Sequence, residues 1–385
     1  MRYLLPRPLP DELLGSMWIR AVRLTGVPIA VATRAVTGDR KFTPSLFTLS
    51  HVEELGSALR LPPLDLLWKH TLFPYATAYY SPELHAKAIS MVFGRGSALT
   101  GLGSLVQGVS DYSRLRRLCP LCIREDLARW KQSYWHRQHH LPGALVCTGH
   151  GVVLHITSIP TVSNAWYGVL PEDIHAPRRR AMPPAFLELL SRKSVALLDE
   201  SARSEPIERG AAWYRDQVVQ KRLASPGRAI DSRKAAAWLA ASMSASPAAV
   251  GLPERDGALL WIGNMVRPGY EQPFVPLKHL LFETALELQD VAPEPIFNHI
   301  PTGMKSLATP AADARAARAV LAVVRGYIAR GERVSVRQAL TEAGCWSRFR
   351  HSYQAYPKVR SAVAFLKASP AAMRPYWGKG VSWQP

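Results

Sequence analysis

Two short chelating arms constrain this chain more than any other feature. Between Arg117 and Gly151 the sequence reads R-L-C-P-L-C-I-R-E-D-L-A-R-W-K-Q-S-Y-W-H-R-Q-H-H-L-P-G-A-L-V-C-T-G-H-G, which holds Cys119, Cys122, Cys147 and His150 in the pattern C-x2-C-x24-C-x2-H. Each arm can place two ligands on one tetrahedral Zn²⁺, and the backbone amides of a Cys-x2-Cys turn can also point at the thiolate sulfurs. The bland alternative is three buried thiols and a surface histidine. It requires two paired arms to arise by chance in a chain with only four cysteines. His136, His139 and His140 lie between the arms, but four ligands are already present. A histidine beside Trp and Tyr more often packs or hydrogen-bonds than binds metal. The remaining thiol, Cys345, stands alone, which favours a reducing compartment.

The spacing around the arms predicts a helix from Glu125 to His139, with Leu127, Trp130, Tyr134 and Trp135 on its buried side. Two short strands, Ala144 to Val146 and Val152 to His155, are expected to frame the second arm as in a zinc ribbon. Glu125 and Asp126 read as residues of the helix start.

Charge is the second constraint. The chain carries +19 with a pI near 10.1, and residues 301–385 hold 14 Lys/Arg against 3 Asp/Glu, so +11 of the +19 falls in the last fifth. An excess this uneven favours a dedicated face for a polyanion, with nucleic acid as the default partner. No apolar run approaches the roughly 18 residues of a membrane span. Prolines at 6 and 8 interrupt the place of a secretion signal, so no membrane partner and a cytoplasmic, nucleoid-associated location are expected.

Hydrophobic periodicity gives a mainly α, multi-domain fold with helix-turn-helix units and a small zinc-ribbon-like module. Four units are expected: helical 1–112, metal-binding 113–160, a helical middle 161–300 and a basic 301–385. In the first, a helix runs through Leu13–Leu24 to a stop at Gly26, and another covers Ile29–Val36. A Ser50-x-x-Glu53 capping box opens a helix to Leu59, and the pattern resumes from Leu64 to His70. The middle holds helices over Ala185–Leu198, Ala211–Leu223, Ser232–Met243 and Leu277–Val291. In the tail, helices over Ala311–Ala329 and Ser335–Ala343 precede Gly344, and a third is expected to end before Pro357. Helix, glycine turn, helix suits a reader of the major groove. The candidate DNA contacts are Arg337, Arg348, Arg350, His351, Tyr353, Gln354, Lys358 and Arg360, since Arg suits guanine and Gln adenine, and Tyr or His a phosphate. A plain basic three-helix bundle is the competing reading.

The chain lacks a Walker-type phosphate loop, a His-Glu-x-x-His pair and a spaced acidic triad for two Mg²⁺. Four soft ligands close the metal site, so no catalytic residue and no enzyme activity is expected.

Several stretches together carry a resemblance: L-P-R-P-L-P-D-E-L-L-G-S at Leu5–Ser16, C-P-L-C at Cys119–Cys122, Y-W-H-R-Q-H-H-L-P-G at Tyr134–Gly143 and V-C-T-G-H-G at Val146–Gly151. The chain resembles the TniQ/TnsD family of transposition proteins, well over its first 150 residues and loosely beyond. The resemblance implies a non-catalytic selector of insertion sites. Such a protein would recognise the site by binding double-stranded DNA or by docking on an RNA-guided effector complex, and would recruit an AAA+ ATPase. It implies Cys119, Cys122, Cys147 and His150 as zinc ligands, an N-terminal unit that meets the ATPase and a C-terminal half that reads DNA. A zinc-bearing transcription regulator acting as a homodimer on a palindromic operator is the alternative.

Overall fold

The computed structural model describes residues 5–39, 50–93, 115–161, 168–175, 183–200, 207, 209–243, 259–267, 269–270, 274–298, 310–346 and 356–368. The chain is mainly helical, and it divides into two compact units, Met1–His299 and Ile300–Pro385. No helix among the described residues is long and apolar enough to cross a membrane.

The first unit is organised on α1 (Leu14–Thr25), whose residues Leu14 to Ala21 are all buried. Such a helix must be covered on every side. Met17 and Trp18 face one apolar cluster, formed with α3 (Val52–Leu59), α4 (Pro63–His70), α5 (Phe73–Thr77) and α6 (Pro82–Phe93). Leu13 and Ile19 enter a second cluster, which continues through Trp135 and Leu141 to Leu190, Tyr214, Leu239, Phe282 and Phe297. That second cluster draws on all three stretches expected as 1–112, 113–160 and 161–300.

Glycine ends α1 as its sequence implies. Gly26 adopts φ 66° and its N–H donates to the Val22 carbonyl, and Gly38 (φ 73°) does the same after α2 (Ile29–Thr37). The Ser50–Glu53 capping box does not form. The residue before α3 is His51 at φ 61°, with no side-chain cap. Its ring lies 3.5 Å from Glu54 instead.

Around the arms, β1 (Leu115–Leu118) leads into α7 (Pro120–Trp130). A 3-10 turn (Arg137–His140), β2 (Val146–Cys147), β3 (Val152–Val153) and β4 (His155–Pro160) follow. β2 pairs antiparallel with β3, and β1 with β4. The expected helix over Glu125–His139 is displaced. Proline at the first helical position starts α7 at Pro120, and Lys131 at φ 60° ends it. The shift turns Leu127 outward, 38% exposed. It also frees Tyr134 and Trp135 to pair with the N-terminal segment.

The remainder of this unit comprises α8 (Ala185–Glu200), α9 (Ala211–Gln220), α10 (Ser232–Ser242), α11 (Trp261–Met265) and α12 (Pro276–Leu288). Asp231 caps α10 by accepting from the Arg233 and Lys234 amides.

The second unit contains α13 (Pro310–Ala329), α14 (Val336–Glu342) and α15 (Pro357–Ala368) around Val320, Val324, Leu340, Val359, Val363 and Leu366. Ser335 caps α14, and Gly344 after it takes φ 65°. Pro357 opens a helix: its fixed φ suits the first turn and its missing N–H leaves no orphan donor there. The helix expected to end before it lies almost wholly outside the described residues. Buried Asp313 on α13 accepts from the next two amides of α15, Lys358 at 2.8 Å and Val359 at 3.1 Å. Cys345 joins this core as a small apolar side chain.

Candidate metal centre

The two arms converge. Cys119 precedes α7 and Cys122 lies in its first turn, while the β2–β3 hairpin carries Cys147 and His150. One donor atom from each of the four residues falls within 4.8 Å of all the others. Cys122 Sγ is 3.6 Å from Cys147 Sγ and 3.4 Å from His150 Nδ1, which lies 3.6 Å from Cys119 Sγ and 3.4 Å from Cys147 Sγ. A tetrahedron with metal–sulfur bonds of about 2.3 Å has edges of roughly 3.5–3.8 Å. The Cys3His set therefore fits a tetrahedral metal ion, and its three cysteines are buried.

Electrostatics point the same way. Hydrogen bonds from the Cys122 and Cys147 thiols hold Cys119 far below the usual thiol range, helped by the amides of Leu121 and Cys122. The same sharing pushes Cys122 far above that range, and Cys147 up to about 11. Sharing of protons among the three sulfurs thus opposes their ionising together. A divalent ion would let all three ionise.

Supporting residues hold the ligands in place. His150 directs Nδ1 to the sulfurs, and its Nε2 lies 3.0 Å from Glu125 Oε1. Glu125 follows Cys122 by three residues on α7, so one helix face supplies a sulfur from one arm and a carboxylate to the histidine of the other. His139 Nε2 lies 3.7 Å from Cys122 Sγ, and burial keeps this ring neutral, with a pKa well below its ordinary value. His136 pairs with Asp126 at 2.9 Å. His140 lies against the His136 carbonyl through Nδ1 and accepts the Arg117 amide at Nε2, with burial lowering its pKa to about 3. Glu125 and Asp126 are thus more than helix-start residues. Their partners lie 25 and 10 residues away, and no local pattern signals them.

Above this centre the N-terminal segment grips the stretch between the arms. Leu13 N donates to Trp135 O, Trp135 N to Ser16 Oγ, and Tyr134 OH to Pro10 O. Asp11 accepts from Arg137 Nε and Gln138 N. Below this contact lies a fully buried ion pair of Glu12 and Arg20, and burial raises the Glu12 pKa against the pull of that guanidinium. On the far side, Ser194 donates to Pro142 O, and Ser191 accepts from the Leu145 and Val146 amides. Gly143 sits between them at φ 82°, where a Cβ would meet Ser194 Oγ at 2.7 Å. Leu5–Ser16 and Tyr134–Gly143 are thus two halves of one junction.

The expected DNA contacts are placed unevenly. Arg337 is exposed on α14, with its guanidinium 5.5 Å from the centroid of the Trp346 ring. Lys358 and Arg360 are exposed in the first turn of α15. Arg348, Arg350, His351, Tyr353 and Gln354 lie outside the described residues.

The N-terminal segment and α8 thus hold the stretch between the two arms from either side. Residues 3–154, the stretch that contains both halves of the junction and all four candidate ligands, match the TniQ family model. Over 157 residues the chain is 29% identical to the Transposon Tn7 transposition protein TnsD of Escherichia coli, across 39% of this chain and 30% of that relative. Over this stretch the chain is similar to the TniQ/TnsD family. The match spans less than a third of the relative's length.

Proposed function

We propose that this chain is a target-site selector for transposition, a non-catalytic protein that binds duplex DNA and recruits an AAA+ ATPase of the transposon. The observation that carries this reading is the family match over residues 3–154, which includes the four-ligand cluster. The lopsided charge supports DNA binding, since the last fifth of the chain carries +11. In this reading Arg337, Lys358 and Arg360, with Arg348, Arg350, His351, Tyr353 and Gln354, contact DNA. The TniQ-like portion meets the ATPase.

Cys119, Cys122, Cys147 and His150 would hold Zn²⁺, which supplies a four-way crosslink and no catalysis. Glu125 orients His150, and the neutral His139 donates toward the Cys122 sulfur. With all four positions filled by protein there is no open site for water.

The experiment is a selection from random duplex DNA with zinc-loaded protein. Enrichment of one sequence, with affinity falling steeply in salt, is expected. A protein that enriches no duplex yet copurifies with an RNA-guided complex would replace direct reading with docking on that complex.

A further inference from the structure

Apart from the basic tail, the first unit carries its own concentration of cations. Between α9 and α10 lie Lys221, Arg222 and Arg228, with Arg233 and Lys234 in the first turn of α10 and Arg215 on α9. Arg222, Arg228, Arg233 and Lys234 are exposed.

The loop that presents them is rigidly tied. Ser225 N donates to Asn298 Oδ1 at 2.9 Å, and Asn298 Nδ2 donates to Ser225 Oγ at 2.9 Å. Phe297 N reaches Leu223 O at 2.7 Å, and Asp231 N reaches Phe297 O at 2.6 Å. Arg215 donates to the Arg228 carbonyl, and Lys234 Nζ lies 3.4 Å from Asn298 O. Cations therefore lie on two helices and on the fixed loop that joins them, with Lys221 Nζ donating to the Gln289 carbonyl. Arg222 holds φ 56°, a left-handed conformation that an arginine rarely adopts.

Acidic neighbours leave this charge in place. Asp231 spends its carboxylate on the amides at the start of α10. Asp216, Asp290 and Glu294 are exposed nearby in sequence or on the adjoining segment, and no ion pair among the described residues joins them to these six cations. The nearest large aromatic on α10, Trp238, is occupied edge-on by Phe282 and Phe297. The loop has charge without a stacking platform, which suits the backbone of a duplex better than the bases of a single strand.

We propose that the α9–α10 loop is a second phosphate-binding surface, which grips the sugar–phosphate backbone of duplex DNA without reading its sequence. This deepens the function above and rests on its DNA-binding part. The test is fluorescence anisotropy of the full chain with a labelled random-sequence duplex over a salt series. The variant combines Arg222→Gly, Arg228→Gln and Arg233→Gln; glycine relieves the backbone at 222, and the other two side chains are exposed.

Each lost phosphate contact lowers the slope of log affinity against log salt by about 0.9. The triple variant is expected to lose about two to three from that slope and on the order of tenfold in affinity, with an unchanged melting temperature. Arg228→Gln with Arg233→Gln alone should lose about two. Wild-type binding with an unaltered slope in both variants overturns the loop and leaves the function standing. Wild-type protein that binds no duplex overturns both. A loss confined to single-stranded RNA, with duplex binding unchanged, overturns the assignment to DNA.

Discussion

The two units are stabilised by different means. In the first, polar contacts help to knit the core: Glu12 with Arg20, Asp11 with Arg137, His136 with Asp126 and the Cys3His cluster. In the second, the described residues give a small apolar core of Val, Ala and Leu, closed by caps at Ser335 and Asp313. A buried polar network depends on every partner, whereas an apolar bundle loses stability in small steps. The first unit should therefore fail abruptly and the second gradually.

Metal removal is the strongest way to break that contrast. Chelation, or Cys147→Ser, should abolish cooperative melting of residues 1–299 and lower folded yield, since structural zinc contributes on the order of 10 kcal/mol where folding depends on it. The melting of residues 300–385 should not move. Calorimetry with and without chelator checks this, and a metal-free chain with two normal transitions would show that the metal does not hold the first unit together. Next in size, Arg20→Met leaves Glu12 buried without its partner and should cost about 3–5 kcal/mol in denaturant unfolding of the first unit.

Acid should separate the units as well. Burial lowers His140, and His279 on α12 beside the Tyr214 hydroxyl, to about 3. The unfolded chain then binds more protons than the folded one, so stability is full above the ordinary value near 6.5. It should decline as pH falls from there toward about 3. The expected result in pH-dependent melts is an acid-labile first unit.

A finer probe is Glu125→Gln, which should weaken metal binding about 10-fold in chelator competition while leaving the fold intact. Smallest is Asp313→Ala. It removes the cap of α15 and should cost the second unit about 1 kcal/mol, with no change in metal affinity.

Local chemistry was legible in the sequence. The ligand spacing and the glycines after α1 and α14 are short-range patterns, and each appears in the structure where it was read. What failed was decided at long range or by competition. Ser50 forms no capping box because the chain enters α3 through His51 in a left-handed conformation. The helix expected to reach His139 gives way to backbone bonds with residues 10–16, a preference no window of neighbouring residues contains. That a further helix begins at Pro357 was not read, and its cap, Asp313, is distant in sequence.

The junction between residues 10–16 and 134–138 also bears on the order in which the chain can fold. Leu13 waits for Trp135, and Asp11 for Arg137. On a ribosome, α1 emerges more than a hundred residues before the backbone that completes its N-terminal end. Its apolar residues Leu14, Met17, Trp18 and Ile19 must stay provisionally covered through that interval. A nascent chain halted before Trp135 should thus be protease-sensitive at α1, and one released after His150 protected.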